Sequence, residues 1–178
     1  MYYSSRYIQE SKAEFKNLAP LVTDKLVRLA SLHEHIALFG PSGSGKSIIG
    51  NILAERLGYP HYRSDNLLES TTHRERPYVM MKEVMAMPRV LFSGNAIARG
   101  LRIGIREHKY VPGMIIEIVC NEMSREATFQ REGIMSKFAA NEKYYKGNLT
   151  VLKEWHSMVS SNFAMPYPTI IKLDTSYL

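Results

Sequence analysis

The stretch IALFGPSGSGKSIIGNILAERLGYP, residues 36–60, constrains the fold more than any other part of the chain. Ile36, Ala37, Leu38 and Phe39 form a short apolar run of strand type. From Lys46 to Leu57 apolar residues recur at helical spacing, until Gly58 and Pro60 end the run. Between the two lies Gly40-Pro41-Ser42-Gly43-Ser44-Gly45-Lys46-Ser47, which fits G-x-x-x-x-G-K-[ST] at every defined position. A strand, a glycine-rich turn and a helix in that order aim unpaired backbone N–H groups and the positive end of the helix dipole at one spot. A polyphosphate suits that spot. Gly40, Ser42, Gly43, Ser44 and Gly45 would form the cradle, Lys46 would reach the outer phosphates, and Ser47 would offer its hydroxyl to Mg²⁺. ATP with Mg²⁺ is the expected ligand. A glycine-rich turn that only joins strand to helix is the alternative reading.

The remaining pattern alternates strands and helices. Strands are expected at 59–64, 89–93 and 114–120 and at TIIKLDTS near the C-terminus. Helices are expected after SDNLLES, where Asn66 and Glu69 have capping-box spacing, and at VMMKEVMAM, ended by Pro88. More are expected over 95–109, in SREATFQREGIMSKF and in NLTVLKEWHSMVSS. This order implies an α/β three-layer sandwich around a mostly parallel sheet of about five strands, with ligands at the carboxyl ends of the strands. Residues 1–34 read as an N-terminal helical extension broken near Pro20, and 35–178 as the main domain.

A chain of 178 residues suits a single domain with a full core. No apolar run approaches a membrane span and the N-terminus lacks the apolar centre of a signal peptide, so a cytoplasmic protein is expected, in the host cytoplasm if it is viral. Cys120, the single cysteine, ends a strand-like run and reads as a buried strand residue. The net charge of +6 favours polyanionic partners, nucleic acid among them, although phosphate substrates account for part of it. Arg99, Arg102 and Arg106 recur at three and four residues, on one face of the expected helix. That face is either a phosphate-backbone contact or merely solvated. Tyr2, Tyr3 and Tyr7, and the KYYKG segment, interleave aromatic with basic residues, which ordinary packing also explains.

Taken in order, GPSGSGKS, YRSDNLLE, VLFSGNAI, the basic segment with QRE and IIKLDTS resemble the small P-loop kinases over residues 36–176. Within them the chain is most similar to the polynucleotide-kinase and zeta-toxin-like branch, with shikimate and gluconate kinases more distant. The resemblance implies a P-loop kinase sandwich with a lid near 121–147. It makes Asp65 the residue that accepts the proton of the attacking hydroxyl. Arg131 becomes the lid arginine that stabilises the transferring phosphoryl, with Arg125 as the second candidate. Carboxylate chemistry supports Asp65, since a base beside the acceptor both orients it and takes its proton; a helix cap is its other reading. Arg131 could equally pair with Glu132 or Glu142.

Two departures stand out. Where the family often carries an aspartate at the end of the third strand, this chain has Ser93-Gly94-Asn95, so Asn95 is a candidate for the substrate instead. Where related polynucleotide kinases have an arginine for the acceptor's phosphate, this chain has Leu68, with His73, Arg74 and Arg76 further on. The expected acceptor is a hydroxyl of nucleic acid, most of all DNA, Arg74 and Arg99 being its candidate contacts. The choices are a 5′-hydroxyl end or a hydroxymethylated base, as in a phage 5-hydroxymethyluracil DNA kinase. A small-molecule kinase and a non-catalytic nucleotide-gated binding module are the alternatives.

Overall fold

In the computed structural model, which describes residues 17–162 and 164–176, five parallel strands form one sheet in the order β2-β3-β1-β4-β5. The strands are β1 (His35–Phe39), β2 (His61–Arg63), β3 (Val90–Ser93), β4 (Met114–Val119) and β5 (Thr169–Asp174). The helices are α1 (Asp24–Ala30), α2 (Lys46–Leu57), α3 (Arg76–Met85), α4 (Ile97–His108), α5 (Glu122–Arg131) and α6 (Phe138–Ser161). Tyr2, Tyr3, Tyr7 and the first part of the expected N-terminal extension lie outside the described residues.

Strand alternation divides the core. Ile36 and Leu38 of β1 face one way, with Leu91, Met114 and Ile116, onto Ile49, Ile52 and Leu53 of α2 and Val22, Leu26 and Ala30. Ala37, Phe39, Phe92 and Ile115 face the other way, onto Met80, Met81, Leu101 and Trp155. Central strands buried on both faces need apolar residues at successive positions, which is why they read as continuous runs. The described part of the 1–34 extension thus joins the core: Thr23 caps α1 by accepting the Leu26 N–H at 3.1 Å, and Arg56 donates to the Val22 carbonyl at 2.5 Å and pairs with Asp24.

Three local expectations change. No helix starts at Asn66; Ser64–Leu67 is a single 3₁₀ turn, and the reciprocal capping pair is Thr72 with Glu75, at 3.0 and 3.2 Å. That pair sits just ahead of Arg76-Pro77, where proline's missing N–H does no harm. The helix expected over SREATFQREGIMSKF breaks at Gly133, whose φ of 71° suits glycine. The last helix begins at Phe138, inside the segment expected to be lid, and runs 24 residues through Gly147. Its Leu149, Leu152, Trp155 and Val159 pack on the core, and that packing outweighs the weak helix propensity of one glycine. Among the described residues no helix is long and apolar enough to cross a membrane.

The start of α2 is sterically fixed. A Cβ on Gly50 would lie 2.7 Å from the His61 ring, which is held by Asn51 at 2.6 Å and Ser93 at 2.7 Å. In His61→Ala, where the ring is gone, Gly50→Ala should stabilise the helix by about 1 kcal/mol. In the wild-type background the clash should reverse or cancel that gain, giving a coupling of about 1–3 kcal/mol in a urea double-mutant cycle. Additive effects would show that the ring is not fixed.

Candidate functional site

The turn from β1 to α2 places residues 40–47 at the carboxyl end of the sheet, beside the point where strand order reverses around β1. Gly43 (φ 77°) and Gly45 (φ 80°) take the left-handed conformation that other residues avoid. Neighbours press on the turn from several sides. Phe129 of α5 would meet a Cβ on Gly43 at 3.1 Å, and Leu18 one on Gly45 at 2.5 Å. Ser44 Oγ donates to the Pro41 carbonyl at 2.6 Å, and the Ser44 carbonyl accepts from Thr175 Oγ1 at 2.6 Å.

Lys46 is buried and folds back on its own loop. Its Nζ donates to the Gly40 carbonyl at 2.9 Å and to Asn95 Oδ1 at 3.1 Å. Burial lowers its pKa to about 8; Asp65 opposes that shift and Arg63 adds to it. At the end of β3, the position scanned for an acid holds Ser93, hydrogen bonded to His61 Nε2 at 2.7 Å. Asn51 Oδ1 accepts from His61 Nδ1 at 2.6 Å, so Nε2 is the acceptor of the Ser93 hydroxyl. Burial, with Arg63 nearby, lowers the His61 pKa to about 4, so the ring is neutral at neutral pH.

A cavity of about 500 Å³ opens over the loop. Ser42, Gly43, Ser44, Gly45, Lys46 and Ser47 line it together with Asp65, Asn95 and Arg131. Residues distant in sequence complete the wall: Leu18 and Leu21, Thr128 of α5, and Asp174 to Ser176 after β5. Asp65 lies in the 3₁₀ turn after β2 and caps no α-helix, so the cap reading gives way to a carboxylate on the cavity wall.

Other expected site residues stand elsewhere. Gly40 contributes its carbonyl to Lys46 rather than a wall. Arg125 does not line the cavity: buried, it donates from Nε to the Cys120 carbonyl at 3.0 Å, pairs with Glu142 and lies over Tyr145, tying α5 to α6. Arg74 is exposed on the turn before α3. Arg99 donates to the His73 carbonyl at 2.7 Å and to the Tyr144 hydroxyl at 2.8 Å, and Arg102 pairs with Glu154 at 3.4 Å. The face expected to track a phosphate backbone is therefore largely turned onto α6, with Arg106 exposed at its end. The reading as a nucleic-acid contact is corrected on this point, because i, i+3 spacing fixes a face but not what packs against it.

Sequence reasoning gave no site role to Arg63, whose Nη2 donates to Ser47 Oγ at 3.2 Å, and noted Tyr144 only within the KYYKG segment; its hydroxyl donates to the Asn95 carbonyl at 3.3 Å. Nothing local gave these partners, since both contacts depend on strand register and on the course of α6.

Comparison with known proteins adds the fold's kinship. Residues 42–86 match the sequence model of the shikimate kinase family. A shikimate kinase from Synechococcus elongatus is 44% identical over 46 residues, 26% of this chain and 24% of that protein. One from Ruegeria pomeroyi is 35% identical over 54 residues, 30% of this chain and 28% of that protein. The matched segment spans about a quarter of the length of these curated relatives. Among solved structures, a gluconokinase from Sinorhizobium meliloti superposes with a TM-score of 0.55 at 19% identity, covering 81% of this chain and 83% of that one. A shikimate kinase from Acinetobacter baumannii, solved with shikimate, gives 0.51 at 18% identity over 72% and 83%. The fold is that of the P-loop kinases. Similarity thus falls on the shikimate and gluconate kinases that the sequence reading had set further off than the polynucleotide-kinase branch.

Burial of the Lys46 charge costs the loop stability. Between pH 8 and 10.5 the unfolded chain binds the Lys46 proton and the folded chain does not, so stability from this group rises with pH across that window. Below pH 8 the penalty of a buried charge is fully present. Lys46→Met should therefore unfold later than wild type at pH 7, by on the order of 1–3 kcal/mol in urea. The difference should shrink by pH 10. A variant less stable than wild type at pH 7 would contradict the burial argument.

Proposed function

We propose that the chain is an ATP-dependent phosphotransferase whose acceptor is a hydroxyl of a small molecule. One observation carries the reading: Lys46, held between the Gly40 carbonyl and Asn95, faces a cavity of about 500 Å³ that has Asp65 on its wall. That volume suits a nucleotide and a small partner, and a cavity of this size lies within the range of ordinary ligand sites. The shikimate and gluconate kinase likeness and the pairing of Arg99 and Arg102 with side chains of α6 favour a small acceptor over nucleic acid.

The roles follow from position. The loop N–H groups and the α2 terminus bind the phosphates, and Lys46 leaves its two oxygen acceptors to follow the transferring group. Asp65 orients the acceptor hydroxyl and takes its proton. Arg131, on the cavity wall, neutralises charge that develops on the phosphoryl oxygens. The site fits Mg²⁺ through the Ser47 hydroxyl, the remaining ligands being phosphate oxygens and water. When bound, the ion neutralises phosphate charge.

The test is γ-labelled ATP offered with shikimate, gluconate, deoxynucleosides, small polyols and 5′-hydroxyl oligonucleotides. Label on a small-molecule acceptor is expected; label confined to DNA would overturn the choice. Asp65→Asn should keep its ATP affinity and lose transfer by roughly 10²–10⁴-fold, the usual contribution of a general base. Normal turnover in that variant would remove Asp65 from the mechanism.

A further inference from the structure

Arg63 is the last residue of β2 and pairs in register with Ser93, the last of β3. The chain turns directly after it, and Ser64 Oγ accepts the Ala96 N–H at 3.4 Å, which pins the β2 end against the start of α4. From this fixed base the guanidinium reaches Ser47 Oγ at 3.2 Å, while its buried Nε has no hydrogen-bond partner among the described residues. The Ser47 hydroxyl is the group through which such a loop meets the metal of a nucleotide. Here the side chain touching it is a permanent cation. Among the described residues no group of three or more His, Cys, Asp or Glu could hold a metal ion, and Ser93 is already bonded to His61.

We propose that Arg63 is a phosphate-directed residue of the nucleotide site, which lets the loop bind polyphosphate without a metal nearly as well as with one. This rests on the reading of the loop as a nucleotide site. A serine oxygen has two lone pairs and one hydrogen. With one lone pair taken by Arg63, the hydroxyl hydrogen turns away from the guanidinium and is free to donate to a phosphate oxygen. A guanidinium this close also favours the bare polyanion and reduces, without abolishing, what a divalent cation gains at the same hydroxyl. The lowered pKa values of Lys46 and His61, to both of which Arg63 contributes, mark the same positive field at neighbouring groups.

The experiment is titration with ATP, once with excess EDTA and once with Mg²⁺, followed by calorimetry on wild type, Arg63→Gln and Arg63→Lys. Thermal unfolding of each variant is run in parallel. For wild type the two dissociation constants should agree within about tenfold; metal-free binding weaker by a thousandfold would overturn the proposal without any variant. Arg63→Gln should weaken metal-free ATP by roughly 10–100-fold, the range of a charge-assisted hydrogen bond, and ATP with Mg²⁺ by less than threefold. Arg63→Lys, which keeps the charge, should recover most of the metal-free affinity. Equal losses with and without metal would show that Arg63 only props the loop, and no loss would show that it is idle; either overturns the proposal. Wild type that binds ATP in neither condition would instead bring down the nucleotide reading, and this proposal with it.

Discussion

Everything at this site depends on a turn that the rest of the molecule holds open. Residues 40–47 leave β1 through two left-handed glycines, and side chains from distant elements then fix the path: Leu18 over Gly45, Phe129 beside Gly43, Thr175 on the Ser44 carbonyl. None of these braces is near the loop in sequence. Phe129 and Thr175 arrive because every strand of a parallel sheet ends at the same carboxyl edge, and Leu18 comes from the segment ahead of β1. The 500 Å³ cavity is the space these returning segments leave above the loop.

Charge gives the turn its chemistry. Lys46 is buried with two oxygen acceptors and a pKa near 8, so the site holds a cation that its surroundings solvate poorly. Such a group gains more from an arriving phosphate than an exposed lysine does, because its desolvation has already occurred on folding. Asp65, Asn95 and Arg131 stand on the wall of the same space, where an acceptor hydroxyl and a transferring phosphoryl group would meet.

How much of this was legible depended on how local each signal was. β1 and β4 were read almost to the residue, since central strands buried on both faces show as apolar runs, interrupted in β4 by Glu117 alone. The phosphate loop was legible because its requirements, glycines for left-handed backbone and a lysine and serine at fixed offsets, lie within eight residues. The cap at Asn66 was misplaced because Thr72 and Glu75 carry the same spacing and only the observed start of α3 decides between them. The long final helix was hidden by Gly147, whose propensity is overruled by Leu149, Leu152 and Trp155 packing on the sheet. Arg99 and Arg102 looked like an open basic face, and Arg63 like an ordinary strand residue; their partners Tyr144, Glu154 and Ser47 come from other elements.

The central claim, that burial makes Lys46 hold its proton weakly until a phosphate arrives, has a direct measurement in the proton balance of ADP binding. Calorimetry at pH 9 in two buffers of different ionisation enthalpy reads the number of protons taken up, and at that pH ADP itself no longer titrates. Since burial lowers the Lys46 pKa to about 8 and a bound phosphate restores its charge, the account predicts uptake approaching about one proton at pH 9. It also predicts little uptake at pH 7. ADP that binds at pH 9 with no proton uptake would contradict it.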